Sequence, residues 1–233
     1  MILGLNNGGF YRLNQDRLSA KVINNIISTG VNGIELSCTK TEMLDNLLNF
    51  ELPNNKFEFI SLHAPLLEYR NDLITQDILD KISRINERFK FNNIIIHSDN
   101  IKELRLFNSF NYLPFSIENS DDRKEFGKSV NDIKTILDYS NLNFTLDVQH
   151  CYVNDKTMKL AEDFYKEFSN KIVEFHVSGY DKNFRHYTLF KTKQDIIINF
   201  LKGKNFPIIL ESTYDSYDEA NTEINYIKNK LSE

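Results

Sequence analysis

The chain has 233 residues, 41% of them hydrophobic and 26% charged, which is ordinary for a globular protein of one large or two small domains. The formal net charge of −5 excludes a general basic field for nucleic acid, although a bound metal could supply positive charge locally. No apolar run approaches the roughly 18 residues of a membrane span, no signal peptide precedes the first strand, and the two distant cysteines match no metal-binding or redox pattern, so we expect a reduced cytoplasmic protein without a membrane partner.

Short apolar strands alternate with amphipathic helices from one end of the chain to the other. We predict eight strands, at residues 2–6, 33–37, 57–62, 93–96, 114–117, 144–147, 172–175 and 207–210. The helix before the fourth strand has the clearest helical period, with apolar residues at Ile74, Ile78, Ile82, Ile85 and Phe89. Gly30 is expected to end the first helix, and three pairs are expected to cap later helices: Thr39 with Glu42, Thr192 with Asp195, and Ser216 with Glu219.

This alternation predicts one domain over residues 1–233, because no linker or change of composition divides the eight strands and eight helices. Near-continuous apolar strands between helices are typical of a parallel sheet covered by helices. Eight such units in about this length indicate an α/β fold, a single (β/α)8 TIM barrel. A doubly wound open sheet is the alternative, but no G-x-G-x-x-G motif follows the first strand.

Ionisable residues stand where the predicted strands end. In a barrel of this type the active site lies at the carboxyl ends of the strands, and those ends carry Glu35, His63, His97, Glu118, Asp147, His176 and Glu211, with His150 and His186 on the loops just beyond. All five histidines of the chain belong to this set. Each residue taken singly could be a cap or a turn residue, but together they would repel or stay expensively buried unless metal ions compensated them. A set of His, Asp and Glu without Cys suits zinc, manganese or iron.

The ordered motifs resemble those of the xylose isomerase-like TIM-barrel superfamily, and within it those of endonuclease IV. The resemblance covers nearly the whole chain and rests on Leu62-His63-Ala64-Pro65, Ile96-His97, Ile117-Glu118-Asn119, Leu146-Asp147-x-x-His150, Phe175-His176, Arg185-His186 and Ile209-Leu210-Glu211, together with the pair Gly8-Gly9.

The resemblance implies two or three divalent metal ions, zinc by preference with manganese as the alternative. One metal would be held by His63, His97 and a bridging Glu118; a second by Glu118, Asp147, His176 and Glu211; a third by His150 and His186. The family completes the third site with an Asp two residues before the last His, and here that position is Phe184, with Asp181 nearby as a possible substitute.

The resemblance implies a metal-dependent phosphoester hydrolase, with Glu118 and Glu211 as catalytic residues and abasic-site DNA or a small phosphorylated molecule as substrate. Among Arg12, Arg70 and Arg185, which could meet a phosphate, we place Arg185 in the substrate site. Leu66 replaces the aromatic residue that the repair enzymes have after His-Ala-Pro, and the DNA-facing loops are short, which weakens the case for duplex DNA.

Two alternatives remain open. The first is a sugar or sugar-phosphate isomerase or epimerase, which needs only the second metal; Glu118 and Glu211 would move protons, and Glu35, reminiscent of this branch, and His150 would contact the substrate. The second is a non-enzymatic scaffold. We expect a monomer in each case.

Overall fold

The computed structural model describes residues 1–13, 15–53, 55–183 and 185–233. Eight parallel strands pair in sequence order, and β8 closes the barrel by pairing with β1. The strands are β1 (Leu3–Asn6), β2 (Gly33–Ser37), β3 (Phe59–His63), β4 (Asn93–His97), β5 (Phe115–Glu118), β6 (Asn143–Asp147), β7 (Ile172–Val177) and β8 (Ile208–Leu210). The predicted (β/α)8 barrel is thereby confirmed, with every strand at its predicted place to within two residues at each end.

The helices surround the barrel, but they do not follow the strands one for one. Those described are α1 (Ala20–Ser28), α2 (Glu42–Asn49), α3 (Leu73–Phe89), α4 (Val130–Leu137), α5 (Val148–Asn154), α6 (Lys159–Phe168), α7 (Leu189–Thr192), α8 (Asp195–Leu201) and α9 (Tyr217–Ser232). Short 3₁₀ helices occupy Asn7–Leu13, Ser98–Asn100 and Leu104–Phe110, so the helix that the alternation predicts between β4 and β5 is a short 3₁₀ helix. Among the described residues, no helix combines the length and the apolar character required to cross a membrane.

Helix α3 departs from its predicted buried face at the first turn. Ile78, Ile82 and Ile85 are buried as expected, but 69% of Ile74 is exposed. The side chain of Asp72 accepts a hydrogen bond from the Thr75 amide and starts the helix there. Ile74 therefore lies in the first, uncovered turn of the helix. The apolar residues at helical spacing begin one turn before the buried face of the helix does.

Two of the predicted caps are wrong. Helix α2 begins at Glu42, and the residue before it, Thr41, provides no side-chain cap, so Thr39 has no capping role. Thr192 ends α7, and α8 begins at Asp195 without a side-chain cap. Sequence spacing alone cannot distinguish a cap from a residue in the preceding turn, because the backbone conformation that aims the side chain is set by the surrounding packing.

The other two helix signals are confirmed in whole or in part. Gly30 has φ +73° just beyond α1, the left-handed conformation that favours glycine. Ser216 accepts a hydrogen bond from the Glu219 amide at 3.1 Å. The Glu219 carboxylate, however, accepts from the Asp215 amide rather than from that of Ser216, so the reciprocal half of the box is displaced by one residue.

The interior of the barrel is unusually polar beneath the strand ends. Side chains bond across strands that are not neighbours: Asn93 on β4 donates to Thr145 Oγ1 on β6 at 2.9 Å, and Ser116 lies 2.7 Å from the same oxygen. TIM-barrel interiors are usually filled by bulky branched residues. The apolar core here lies instead mainly between the strands and the surrounding helices, and the polar interior supports the ionisable groups above it.

Candidate metal centre

The ends of neighbouring strands bring the candidate ligands together. In the strand register, His97 on β4 is aligned with Glu118 on β5, and Asp147 on β6 is aligned with His176 on β7. Glu211 follows β8 directly. Because parallel strands end at one rim of the barrel, these side chains converge although they are far apart in sequence.

The first ligand cluster consists of His63, His97 and Glu118. The Nε2 atoms of the two histidines lie 3.1 Å apart, and Glu118 Oε2 lies 3.7 Å from that of His63 and 3.3 Å from that of His97. Glu118 Oε2 is buried and has no hydrogen-bond partner among the described residues. Two imidazole nitrogens and one carboxylate oxygen thus lie close enough together to hold a divalent metal ion.

The second ligand cluster consists of Glu118, Asp147, His176 and Glu211, whose ligand atoms lie within 4.8 Å of one another. His176 Nδ1 lies 2.7 Å from Glu118 Oε1 and 3.5 Å from Glu211 Oε2. Asp147 Oδ2 is a second buried oxygen without a hydrogen-bond partner among the described residues. Since Glu118 offers one oxygen to each cluster, it is placed to bridge two cations.

Two further carboxylates lie behind His176, on the side away from the clusters. Its Nε2 is 3.0 Å from Glu35 Oε2 and 3.1 Å from Glu174 Oε1. Glu35 is fully buried and also accepts hydrogen bonds from Asn6 Nδ2 at 2.6 Å and Ser61 Oγ at 3.2 Å. Glu35, Glu174 and His176 form a third group that could itself hold a metal ion. If His176 instead binds a metal through Nδ1, the two carboxylates could fix its tautomer and orientation.

His150 and His186 lie near each other at the edge of the centre, with ring centroids 5.7 Å apart. His150 Nδ1 is 2.8 Å from the Asn119 carbonyl oxygen, and His186 Nδ1 is 3.1 Å from Ser178 Oγ. In the part of the chain that the structure describes, the two do not join a cluster of three ligand groups. Position 184, where the resemblance points to a third ligand, lies outside the described residues.

Without metal, protons on His63 and His176 compensate part of the buried carboxylate charge, because the pKa values of both histidines are raised. Burial opposes the charged form of His63, but the close approach of Glu118 and the other nearby carboxylates raises the pKa to about 9. Burial lowers the pKa of His97 to about 4, with the charge of His63 acting in the same direction. Burial would raise the pKa of Glu118, but His97 and His176 hold it well below its usual value. Burial raises the pKa of Asp147 to about 7. Divalent cations could replace these protons as the compensating charge.

Two residues that shape the centre were not predicted from the sequence. Glu174 is a charged residue inside an apolar strand, two positions before His176 and therefore on the same face, and this spacing was the available signal. The side chain of Asn119 holds the backbone of Asp147. Its Nδ2 donates to the Asp147 carbonyl oxygen at 2.9 Å, and its Oδ1 accepts from the Asp147 amide at 2.8 Å. In the sequence, Asn119 stands out only as the residue after the Glu118 motif.

The three arginines considered as phosphate ligands are each paired with a carboxylate. Arg185 Nη1 lies 2.6 Å from Asp122 Oδ1, and Arg12 Nη1 lies 3.1 Å from Asp215 Oδ1. Arg70 pairs with Glu68. A different arginine, Arg17, lines the open cavity of about 190 Å³ beside the metal centre, together with Asn6, Gly8, His186 and Glu211.

Comparison with known proteins gives the fold but no close relative. No family model and no curated protein matches the sequence. Among solved structures, endonuclease IV from Thermus thermophilus is 12% identical with a TM-score of 0.69, covering 100% of this chain and 99% of its own. An L-ribulose 3-epimerase is 11% identical with a TM-score of 0.66, covering 100% and 95%. A xylose isomerase domain containing protein from Salmonella typhimurium is 13% identical with a TM-score of 0.64, covering 99% and 97%. The resemblance to xylose isomerase-like barrels is thus confirmed at the level of the fold, and these neighbours include both nuclease and epimerase.

Proposed function

We propose that the protein is a phosphoester hydrolase that uses two divalent cations, zinc by preference, bridged by Glu118. The proposal rests on the observation that the two oxygens of the Glu118 carboxylate face different ligand clusters. Its Oε2 faces His63 and His97, and its Oε1 faces His176. A hydrolase that acts through two cations needs a shared ligand of this kind to hold them at a short separation.

The two buried oxygens without hydrogen-bond partners support the same donor set. Glu118 Oε2 and Asp147 Oδ2 each lie in one of the two ligand clusters. A buried carboxylate oxygen without a partner costs about 1–3 kcal/mol or more, and cation binding would remove that cost. Zinc or manganese suits the mixture of imidazole and carboxylate ligands.

Bound cations would supply positive charge to the phosphoryl oxygens and lower the pKa of water to near neutrality. The chain itself holds and orients the groups around that chemistry. His63 and His97 would hold one cation, and Asp147, His176 and Glu211 would hold the other. His150 and His186 lie at the edge of the centre. The Asn119 carbonyl accepts the Nδ1 proton of His150, so the Nε2 of His150 can donate to a substrate oxygen only when the ring is protonated.

Sugar isomerisation or epimerisation is the second candidate, because the second ligand cluster is complete without the first. Four ligands, Glu118, Asp147, His176 and Glu211, could hold one cation while Glu118 and Glu211 exchange protons with adjacent carbons. This candidate gives no role to the approach of His63 and His97 to Glu118 Oε2. For that reason the hydrolase is preferred.

The substitution His97→Ala separates the two candidates, because His97 belongs only to the first cluster. Hydrolysis of bis(p-nitrophenyl) phosphate by the zinc- or manganese-loaded protein should fall by about 100-fold or more, since one cation loses a ligand. Glu87→Ala, on the exposed face of α3, serves as the matched control. Full hydrolase activity in the His97 variant would refute the proposal. Loss of metal from the first cluster with retained turnover of ketoses would favour the epimerase.

A further inference from the structure

The metal centre opens to solvent on the side of the loop after β1. The cavity there has a volume of about 190 Å³, and Glu211 forms part of its wall. Because Glu211 also belongs to the second ligand cluster, a molecule in this cavity would reach the metal centre. Arg17, in the loop before α1, also lines this cavity.

The backbone of Arg17 is fixed independently of its side chain. Asn7 Nδ2 donates to the Arg17 carbonyl oxygen at 3.1 Å, and Asn7 Oδ1 accepts from the Ser37 amide at 2.7 Å. The loop is thereby tied to the end of β2. Ser19, two residues later, caps α1 by accepting from the Val22 amide. These contacts hold the backbone of Arg17 in place without using its guanidinium.

The guanidinium of Arg17 has only a weak partner. Its Nη2 lies 3.4 Å from the sulfur of Met43, and a thioether is a poor hydrogen-bond acceptor. Within the described residues Arg17 forms no ion pair. A guanidinium carries five N–H donors in a planar fork that matches phosphate and carboxylate oxygens, so most of its donor capacity is unused.

Other arginines on the loops around the mouth differ from Arg17 in this respect. Each is paired with a carboxylate: Arg12 with Asp215, Arg70 with Glu68, Arg123 with Asp121, and Arg185 with Asp122. Binding a phosphate at one of these would require an existing ion pair to be broken or shared. At Arg17, phosphate binding would displace only the contact with the Met43 sulfur.

We propose that Arg17 binds a phosphate group of a small phosphorylated substrate at the mouth of the metal centre. The inference deepens the proposed hydrolase and rests on it for the chemistry of the reaction. Arg17 would bind non-bridging oxygens of the phosphate and so select phosphorylated over neutral molecules. The structure favours a small molecule over duplex DNA, because a DNA-binding face neutralises about 6–10 phosphates, whereas four other arginines around this mouth, Arg12, Arg70, Arg123 and Arg185, are already paired and the net charge is −5.

The experiment measures the affinity of the zinc-loaded protein for inorganic phosphate by titration calorimetry. Phosphate also binds to zinc, so the informative quantity is the difference between variants. Arg17→Gln should weaken phosphate binding by roughly 10- to 100-fold, the loss of a charged, bidentate contact. Arg17→Lys should retain part of the affinity, because it keeps the charge and loses the fork. The control Arg84→Gln, on the exposed face of α3, should stay within about twofold.

An Arg17→Gln variant that binds phosphate as tightly as the unmodified protein would overturn the inference. An unchanged midpoint of thermal unfolding would exclude a folding defect in Arg17→Gln, and none is expected, because Asn7 anchors the backbone of Arg17 and not its side chain. A second arm uses a short DNA duplex with an abasic analogue. Loss of duplex affinity in Arg17→Gln with unchanged phosphate affinity would also overturn the small-substrate assignment.

The outcome can be separated from that of the proposed hydrolase. A protein with a single cation and no hydrolase activity, but with phosphate affinity that depends on Arg17, would refute the reaction and keep the phosphate site. A protein that holds two cations and hydrolyses phosphoesters, but whose phosphate affinity does not depend on Arg17, would support the reaction and refute the phosphate site.

Discussion

Removing the carboxylate of Glu174 should weaken metal binding without removing a metal ligand. Glu174 is fully buried, and its Oε1 lies 3.1 Å from His176 Nε2, on the side of the ring away from Glu118. It shares that nitrogen with Glu35, at 3.0 Å. Partners of this kind fix a ligand histidine and raise its basicity, and removing them typically costs 10- to 100-fold in metal affinity.

The expected loss of zinc affinity is limited because Glu35 and Glu174 contact the same nitrogen of His176. One hydrogen bond to a charged group contributes about 1.5–3 kcal/mol, and in Glu174→Gln the Glu35 carboxylate remains to hold His176. The loss should therefore be about 1–2 kcal/mol, or roughly 5- to 30-fold in the zinc dissociation constant. The double variant Glu35→Gln, Glu174→Gln should lose more than the sum of the single variants, because no carboxylate then holds the ring.

Competition with a chromophoric chelator measures the zinc dissociation constant for the protein, the two single variants and the double variant. Glu167→Gln, an exposed carboxylate paired with Lys134, serves as the control for a change of surface charge. Single and double variants that bind zinc within about twofold of the unmodified protein would refute the view that these carboxylates position His176.

Three further outcomes are expected. Zinc binding at pH 7 should release protons, because the pKa of His63 in the metal-free protein is raised to about 9; the calorimetric enthalpy should then depend on the ionisation enthalpy of the buffer, and a buffer-independent enthalpy would contradict the charge assignment. Burial raises the pKa of Glu223 to about 7, despite hydrogen bonds from two amides and a hydroxyl. Its contribution to stability is therefore fully present below its unfolded pKa, near 4.5, and is lost as the pH rises through 7. Denaturant unfolding should show the unmodified protein losing about 3 kcal/mol relative to Glu223→Gln across that range, whereas parallel pH curves would be inconsistent with the shift. Finally, Gly127→Ala should destabilise the protein more than Gly203→Ala. Both glycines have positive φ, but only at Gly127 would an added Cβ lie 2.0 Å from Ser98 Oγ; we expect about 1–2 kcal/mol for the conformation alone and about 1–3 kcal/mol more at the crowded position. Equal losses in melting temperature would show that crowding has no effect.

The strands and the ligand clusters could be predicted from sequence because each signal is local and repeated. Every candidate ligand at a strand end interrupts an apolar run, and the barrel topology then brings these ends together. The spacing of Asp147 and His150 also has a local cause: Asp147 Oδ1 caps α5 by accepting from the His150 amide at 2.8 Å, which leaves Oδ2 for a metal.

Features that depend on contacts between distant segments could not be predicted in this way. Arg17 lies in a loop without a periodic pattern. The proposal for it rests on the fact that its guanidinium forms no ion pair with a carboxylate among the described residues. The pairing of Arg185 with Asp122 joins the loops after β7 and β5. The 3₁₀ turns after β4 have no distinctive sequence signal, and Glu174 acquires its role only through the orientation of His176.

The most direct test of the shared Glu118 is the number of metal ions that the protein holds. Elemental analysis should be made on protein purified without chelator and without nickel-affinity resin. We expect two zinc or manganese ions per chain, falling to one in His97→Ala. One ion per chain in the unmodified protein, unchanged by His97→Ala, would contradict the bridged pair of cations and with it the proposed hydrolase.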